Sequence, residues 1–393
     1  MTAEPTSVAT DKSTTEPALT TTEPAVKATG AVIREPAVRA TGVAIVGCGN
    51  IAQAYARQLA AYPEIDLRGV QDVAQDRAAT LAAEHGVRAY GSLADLLADP
   101  GVDIVANLTA HHAHYPVTLA CLKAGKHVHS EKPLALRYAE AAELVRLAGE
   151  RGLRLGGAPA TFLGEAQQTA LKMLREDAVG QVRLVYGEVN WGRIEVWHPD
   201  PVGFYEVGPL FDVGVYPLTL VTAALGPARR VSAFAAVVHP RRRRLDGSEF
   251  TITTPDYVVA NVEFDGGALL RLTCDFYVDN RNTHQHGLEF HGDTGSLLLH
   301  SWHDFDAALE LAALNAEPRP VTPLREPYPG VEWGRPVRDL AAAVREGRPH
   351  RATGQQAAHV VEILCATRES YDKGGPVDLV STFDPPAPMD WAR

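Results

Sequence analysis

The chain has 393 residues, a formal net charge of −11, 46% hydrophobic residues and four cysteines. Beyond about 250–300 residues a single core stops growing, so two domains and a tail are expected; the acidic balance excludes nucleic acid as the main partner, because phosphate binding needs a basic face. Cys48, Cys121, Cys274 and Cys365 form no CxxC pair, no run reaches the roughly 20 apolar residues of a membrane span, and no secretory signal opens the chain, so a cytoplasmic protein without membrane contact, disulfides or a metal centre is expected.

Residues 1–41 are rich in Thr, Ala, Glu and Pro, and EPAVKATG at 23–30 returns as EPAVRATG at 35–42. Prolines within the repeat and few bulky apolar residues predict a disordered tail. Order starts at VAIVG (43–47), an apolar run ending in glycine that reads as a buried parallel strand. A helix from Ile51 to Ala61, a strand at 65–72 and helices at 74–85 and 92–98 follow, with Ser92 as an N-cap. GVDIVANLT (101–109) is a further strand, 114–125 a helix, KHVHSEKP (126–133) a strand ending on polar residues, and 137–152 a helix. Strand and helix in alternation predict an α/β Rossmann domain over 42–160.

From 161 to 393 the pattern changes. A helix at 163–177 leads to the alternating strand QVRLVYGEVNW (181–191), and strands then cluster at 230–239, 256–264 and 268–278. GLEFH and SLLLH follow, joined by GDTG, a turn tolerant of positive φ. An α+β domain with a large, mostly antiparallel sheet is expected, and a helix at 353–372 that packs back on the first domain. AFAAVV and YVVANV look apolar on both sides, which points to sheet-on-sheet pairing in a homodimer or homotetramer.

VAIVGCGNIA sets Gly47, Gly49 and Ala52 in G-x-G-x-x-G/A spacing between a strand and a helix. That context suits a pyrophosphate on the helix N-terminus, near Gly47, Gly49, Asn50 and Ile51. Asp72, 25 residues beyond Gly47, would accept from the ribose hydroxyls and repel a 2′-phosphate, favouring NAD, with NADP still possible. Lys132 ends a strand of this sheet, where ligands gather at the carboxyl edge, and can reach nicotinamide ribose and substrate. Asp212 and Tyr216, spaced i, i+4, share one face of a predicted helix, and Gly214 between them would permit close approach of a ligand. The plainer reading has Asp212 capping that helix and Tyr216 in the core.

GCGNIA, the segment Thr109–His114, Glu131-Lys132-Pro133 and GPLFDVGVY (208–216) together resemble the glucose–fructose oxidoreductase/inositol dehydrogenase (Gfo/Idh/MocA) family from about Val43 to the last helix. The resemblance implies an NAD(P)-dependent oxidoreductase moving a hydride to or from a carbinol or keto carbon of a small sugar-like or cyclitol substrate. It implies Lys132, Asp212 and Tyr216 as catalytic and substrate-binding residues, and Leu108, Thr109, His114 and Glu131 beside the cofactor. Tyr216 departs from the family's usual histidine, and a phenol titrating near 10 would need Lys132 to lower its pKa. Two alternatives remain: an NAD-dependent glycosidase working by transient oxidation and elimination, and a redox-inactive nucleotide-binding sensor.

Weaker candidates complete the reading. Trp197 and His198 precede the Asp212 helix in a loop suited to substrate contact. His111 and His112 lack a spaced carboxylate partner for metal, His284 and His286 sit near a strand start, and Arg241 to Arg244 read as a solvated loop able to hold an acidic substrate.

Overall fold

A six-stranded parallel sheet of order β3-β2-β1-β4-β5-β6 forms the first half of the chain. Its strands are β1 (Thr41–Val46), β2 (Ile65–Gln71), β3 (Arg88–Ala89), β4 (Ile104–Asn107), β5 (His127–Ser130) and β6 (Leu155–Gly157). Helices α1 (Ala52–Ala61), α2 (Gln75–His85), α3 (Leu93–Ala98), α4 (His114–Lys123) and α5 (Tyr138–Glu150) connect them. Every residue of β1 is buried, because helices cover the sheet on both faces and leave two separate apolar layers. The Ser92 cap is present: its side chain accepts from the Asp95 N–H. The computed structural model describes residues 39–393 except 284 and 286. The expected disorder of the N-terminal repeat and the roles suggested for His284 and His286 lie outside the described residues.

In the second half, α6 (Glu165–Arg175), α7 (Val202–Pro209) and α8 (Val215–Leu225) pack on a nine-stranded sheet of order β16-β15-β14-β13-β7-β12-β11-β8-β17. Its strands are β7 (Val182–Asn190), β8 (Ala228–Ala236), β11 (Tyr257–Phe264), β12 (Leu269–Asp275), β13 (Gly287–Gly292), β14 (Gly295–Leu299), β15 (Leu309–Ala313), β16 (Arg319–Pro320) and β17 (Val377–Asp378). All pairs are antiparallel except β7 with β12, so the sheet is mixed but mostly antiparallel. Two helices follow, α9 (Arg335–Glu346) and α10 (Gly354–Lys373). The second of these lies against α5 and β6 as well as α8 and β8.

Three sequence expectations change. The arginine run is no solvated loop: Arg241–Arg243 form β9, paired with β10 (Glu249–Thr251) in a small hairpin. Arg242 is fully buried between Glu195 and Asp256, donates to the Tyr205 hydroxyl at 2.7 Å and lies over that ring, so it holds no substrate. Second, the stretch Val202–Leu225 is long and apolar enough to cross a bilayer, yet 89% of its most apolar window is buried inside the molecule. It is a core segment, broken at Gly208 (φ +79). Third, the outward face of the large sheet is not uniformly apolar. Register places Ser232, Asn261, Arg271 and Tyr186 in one cross-strand row and Phe234, Val259, Thr273 and Glu188 in the next, so polar and apolar side chains alternate there.

Candidate active site

The glycine turn after β1 is shaped from beneath. Gly47 has φ +96, and a Cβ there would sit 2.6 Å from the Leu108 carbonyl carbon, so only glycine fits. Leu108 continues the ladder by donating to the Val46 carbonyl at 2.7 Å, and the Thr109 hydroxyl donates to Asn107 at 2.7 Å. Above the turn the space is open: nothing lies within 4 Å of where a Gly49 Cβ would be, and Asn50 is exposed. No side chain caps α1 at Ile51, which leaves backbone N–H groups and the positive end of the helix dipole facing that space. Asp72, buried at the end of β2, accepts from the Cys48 and Ala74 N–H groups, each at 2.7 Å. Those two bonds aim the carboxylate at the turn and leave lone pairs for two further donors. An open glycine turn, an uncapped helix start and an anchored acid fit a dinucleotide.

The catalytic candidates meet at the carboxyl edge of β5. Lys132 Nζ donates to the Asp212 carboxylate at 2.8 Å and to the Asp212 main-chain carbonyl, and lies 5.3 Å from the centre of the Tyr216 ring. Asp212 is not on a regular α-helix: Leu210–Gly214 form a π-turn, a wider coil common at functional sites, before α8 carries Tyr216. Gly214 serves the fold rather than a ligand, since a Cβ there would meet the Cys274 sulfur of β12 at 2.7 Å.

Electrostatics in this group are strong because water is largely excluded. Burial alone would raise the Asp212 carboxyl, but the Lys132 ammonium, with help from His111, holds it at about 2. Burial alone would lower the Lys132 pKa, and the Asp212 charge outweighs it, so the ammonium keeps its proton far above its ordinary value. Tyr216 runs opposite to the sequence expectation. Burial raises its phenol well above 10, the Glu131 and Asp212 carboxylates add to this, and the Lys132 charge only partly opposes them. The pair is therefore an ammonium beside a protonated phenol at neutral pH. Among the described residues the Tyr216 hydroxyl has no hydrogen-bond partner.

Other candidates are distributed differently. Glu131 spends its carboxylate on the Tyr55 hydroxyl (2.8 Å) and the Lys132 N–H (3.1 Å), supporting the turn that presents Lys132. His114 is buried, its ring nitrogens 2.7 Å from the Pro133 carbonyl and 2.8 Å from the Thr109 carbonyl, so it ties two loops and faces no open space. Trp197 and His198 pack edge-on against each other and against Phe204, and among the described residues neither has a hydrogen bond or ring contact with Lys132, Asp212 or Tyr216.

Sequence reasoning undervalued His111, whose Nε2 lies 3.6 Å from the Asp212 carboxylate. It missed an aromatic wall. Tyr216 packs on Trp302 (5.3 Å between ring centres) and His303 (5.4 Å), Trp302 on Trp191 (6.0 Å), and His303 on Trp333 (5.4 Å), which reaches Tyr55 of α1 (6.4 Å). Among the described residues no cluster of His, Cys, Asp and Glu has the make-up of a metal site.

Two family models match the chain. Residues 41–157 match an oxidoreductase family with an NAD-binding Rossmann fold, and residues 167–298 match a GFO/IDH/MocA C-terminal domain. The trans-1,2-dihydrobenzene-1,2-diol dehydrogenases of Bos taurus and Sus scrofa are 30% and 29% identical over 244 and 243 residues. Each alignment covers 61% of this chain and 69% of the relative. Among solved structures, a levoglucosan dehydrogenase in complex with NADH and L-sorbose superposes with a TM-score of 0.75. It is 22% identical, with 87% of this chain and all of that one covered. The aldose-aldose oxidoreductase of Caulobacter crescentus gives 0.74 at 21% identity, with the same coverage.

Proposed function

The chain belongs to the Gfo/Idh/MocA family of NAD(P)-dependent oxidoreductases, and from that premise we propose that it interconverts a small ring-shaped vicinal diol, sugar or dihydrodiol, with its hydroxyketone. The observation that carries this is the Lys132–Asp212 ion pair beside the free Tyr216 hydroxyl, set against a wall of aromatic rings. Ring faces of tryptophan pack well on the apolar face of a sugar or a cyclic diene. The dihydrodiol dehydrogenase relatives and the L-sorbose-bound neighbour support the same class.

Bound nicotinamide supplies the two-electron oxidant or reductant. Lys132 has three N–H donors and spends two on Asp212, so the third is available to the reacting oxygen. Asp212 fixes the direction of the ammonium and offsets its charge. Tyr216, protonated at neutral pH, hydrogen-bonds the same oxygen and gives up its proton as a ketone becomes an alcohol. His111 lies 3.6 Å from the same Asp212 oxygen that Lys132 meets and helps to hold it. The test is NADH formation or consumption with a panel of cyclohexanediols, benzene dihydrodiols, aldoses, inositols and their ketones. Turnover of none, in either direction, would overturn the reading.

NAD(H) should be preferred over NADP(H), because a 2′-phosphate would meet the Asp72 carboxylate. Asp72→Ser should narrow that preference by about tenfold or more, the effect of about 1.4 kcal/mol. Calorimetric titration showing tighter NADPH binding to the native protein would refute this. We also infer a homodimer through the outward face of the nine-stranded sheet, where exposed Phe234 and Leu269 stand among paired charges such as Glu188–Arg271. Light scattering should report twice the chain mass at micromolar concentration, and Phe234→Glu should reduce it to one chain; a native monomer would rule the dimer out.

A further inference from the structure

We propose that His303, through Nε2, recognises the second, non-reacting hydroxyl of the substrate, an inference that rests on the ring-diol reading above. The residue lies in the loop after β14, and its ring stands edge-on to Tyr216 at 5.4 Å, with Trp333 packed on it at the same distance. It thus borders the phenol that meets the reacting oxygen, on the wall where a substrate ring would stack.

The loop is held in one shape. Ser301 Oγ donates to Asp304 at 2.9 Å and accepts from the His303 and Asp304 N–H groups, each at 3.1 Å. Gln167 of α6 donates to the Ser301 and Asp304 carbonyls, and the Thr161 hydroxyl donates to the Trp302 carbonyl at 2.9 Å. The imidazole itself is oriented by its Nδ1, 3.1 Å from the Asp304 carboxylate. An ionised carboxylate only accepts, so Nδ1 donates to it and Nε2 is the ring atom left to meet a ligand. Among the described residues Nε2 has no partner, and the indole of the neighbouring Trp302 donates to the Glu188 carbonyl at 3.2 Å rather than to it.

A ring that carries one alcohol needs only Lys132 and Tyr216. A vicinal diol brings a second hydroxyl that must find a partner once the ring is stacked and water is displaced, since a hydroxyl left unpaired there is penalised. His303 Nε2, oriented through the Nδ1 contact with Asp304, is placed to be the hydrogen-bond partner of that hydroxyl. It is a binding residue for the half of the substrate that does not react, and it separates diols from simple alcohols.

The experiment compares trans-cyclohexane-1,2-diol with cyclohexanol as substrates of the native enzyme, His303→Ala and His303→Gln, with NAD. His303→Ala removes a ring of the wall for both substrates but a hydrogen-bond partner only for the diol, so it should lower kcat/KM for the diol about 10–100-fold more than for cyclohexanol, mostly through KM. His303→Gln, which keeps a polar atom near the Nε2 position, should recover part of the loss; it also serves if the alanine variant folds poorly. Equal losses on both substrates, or an unmoved diol KM, would overturn the inference while leaving the proposed function standing. A native enzyme that oxidises no ring diol would instead bring down that function, and this inference with it.

Discussion

Lys132→Met should reduce turnover on the order of 10³-fold while NAD binding, read by calorimetry, is retained. Among the described residues the lysine is the one cation against the Asp212 carboxylate and the Tyr216 ring at once, at 2.8 Å from the first and 5.3 Å from the centre of the second. Methionine keeps the length and apolar stem but removes the ammonium donors, leaving only Tyr216 to the reacting oxygen. The same change strands a buried carboxylate, which costs about 3–5 kcal/mol when one partner of such a pair is lost. The sign of its pH dependence follows from Asp212. With Lys132 present, that carboxyl is held at about 2, below its ordinary value of 3.8, so the pair stabilises the fold above about pH 4 and the stabilisation fades as pH falls towards 2. The melting-temperature gap between native enzyme and variant should therefore be wide at pH 7 and narrow towards pH 3. Lys132→Met with Asp212→Asn should recover the stability and stay inactive. A turnover loss under tenfold would remove Lys132 from the chemistry.

Tyr216→Phe should cost about 10²–10⁴-fold in turnover, the usual weight of a positioned acid or base. The ring, and with it the packing on Trp302 and His303, survives this change, so melting temperature and cofactor binding should hold. Burial and the nearby carboxylates push the phenol well above 10, so the proton is in place through neutral pH. Ketone reduction should then be nearly flat from about pH 6 to 9 in the native enzyme, with alcohol oxidation rising as pH increases. In the phenylalanine variant that rise should vanish. Lys132→Met combined with Tyr216→Phe should be little worse than the more damaging single change, since the two act on one oxygen. A loss under tenfold with an unmoved alkaline limb would mean that Tyr216 only packs.

The fold was readable where one rule dominates locally. VAIVG, the Ser92 cap and the strands from QVRLVY to SLLLH each follow from periodicity and turn residues, and each lies within a few residues of its expected place. The glycine turn was legible from its short motif, whereas the meeting of Lys132 with Asp212, 80 residues on, was expected from the family resemblance and not from local spacing. What escaped depends on contacts distant in the chain. Arg242 looks like a surface arginine until Glu195 and Asp256 close around it. Trp302, His303 and Trp333 carry no local pattern, and only the path of the loop after β14 and the approach to α9 brings them to Tyr216. The direction of the Tyr216 shift was also beyond sequence, because it depends on how deeply the ring is buried and on Glu131 nearby.

The aromatic wall has an optical consequence. Of the five tryptophans, Trp191, Trp302 and Trp333 all belong to it, and Trp333 touches Tyr55 on the helix whose start faces the dinucleotide space. Indole emission overlaps the absorption of reduced nicotinamide, so most of the molecule's intrinsic fluorescence originates where energy transfer to NADH is efficient. The protein thus contains its own gauge of the redox state of its cofactor: emission excited through tryptophan should dim as NADH fills the site and brighten as it is oxidised there, without any attached dye.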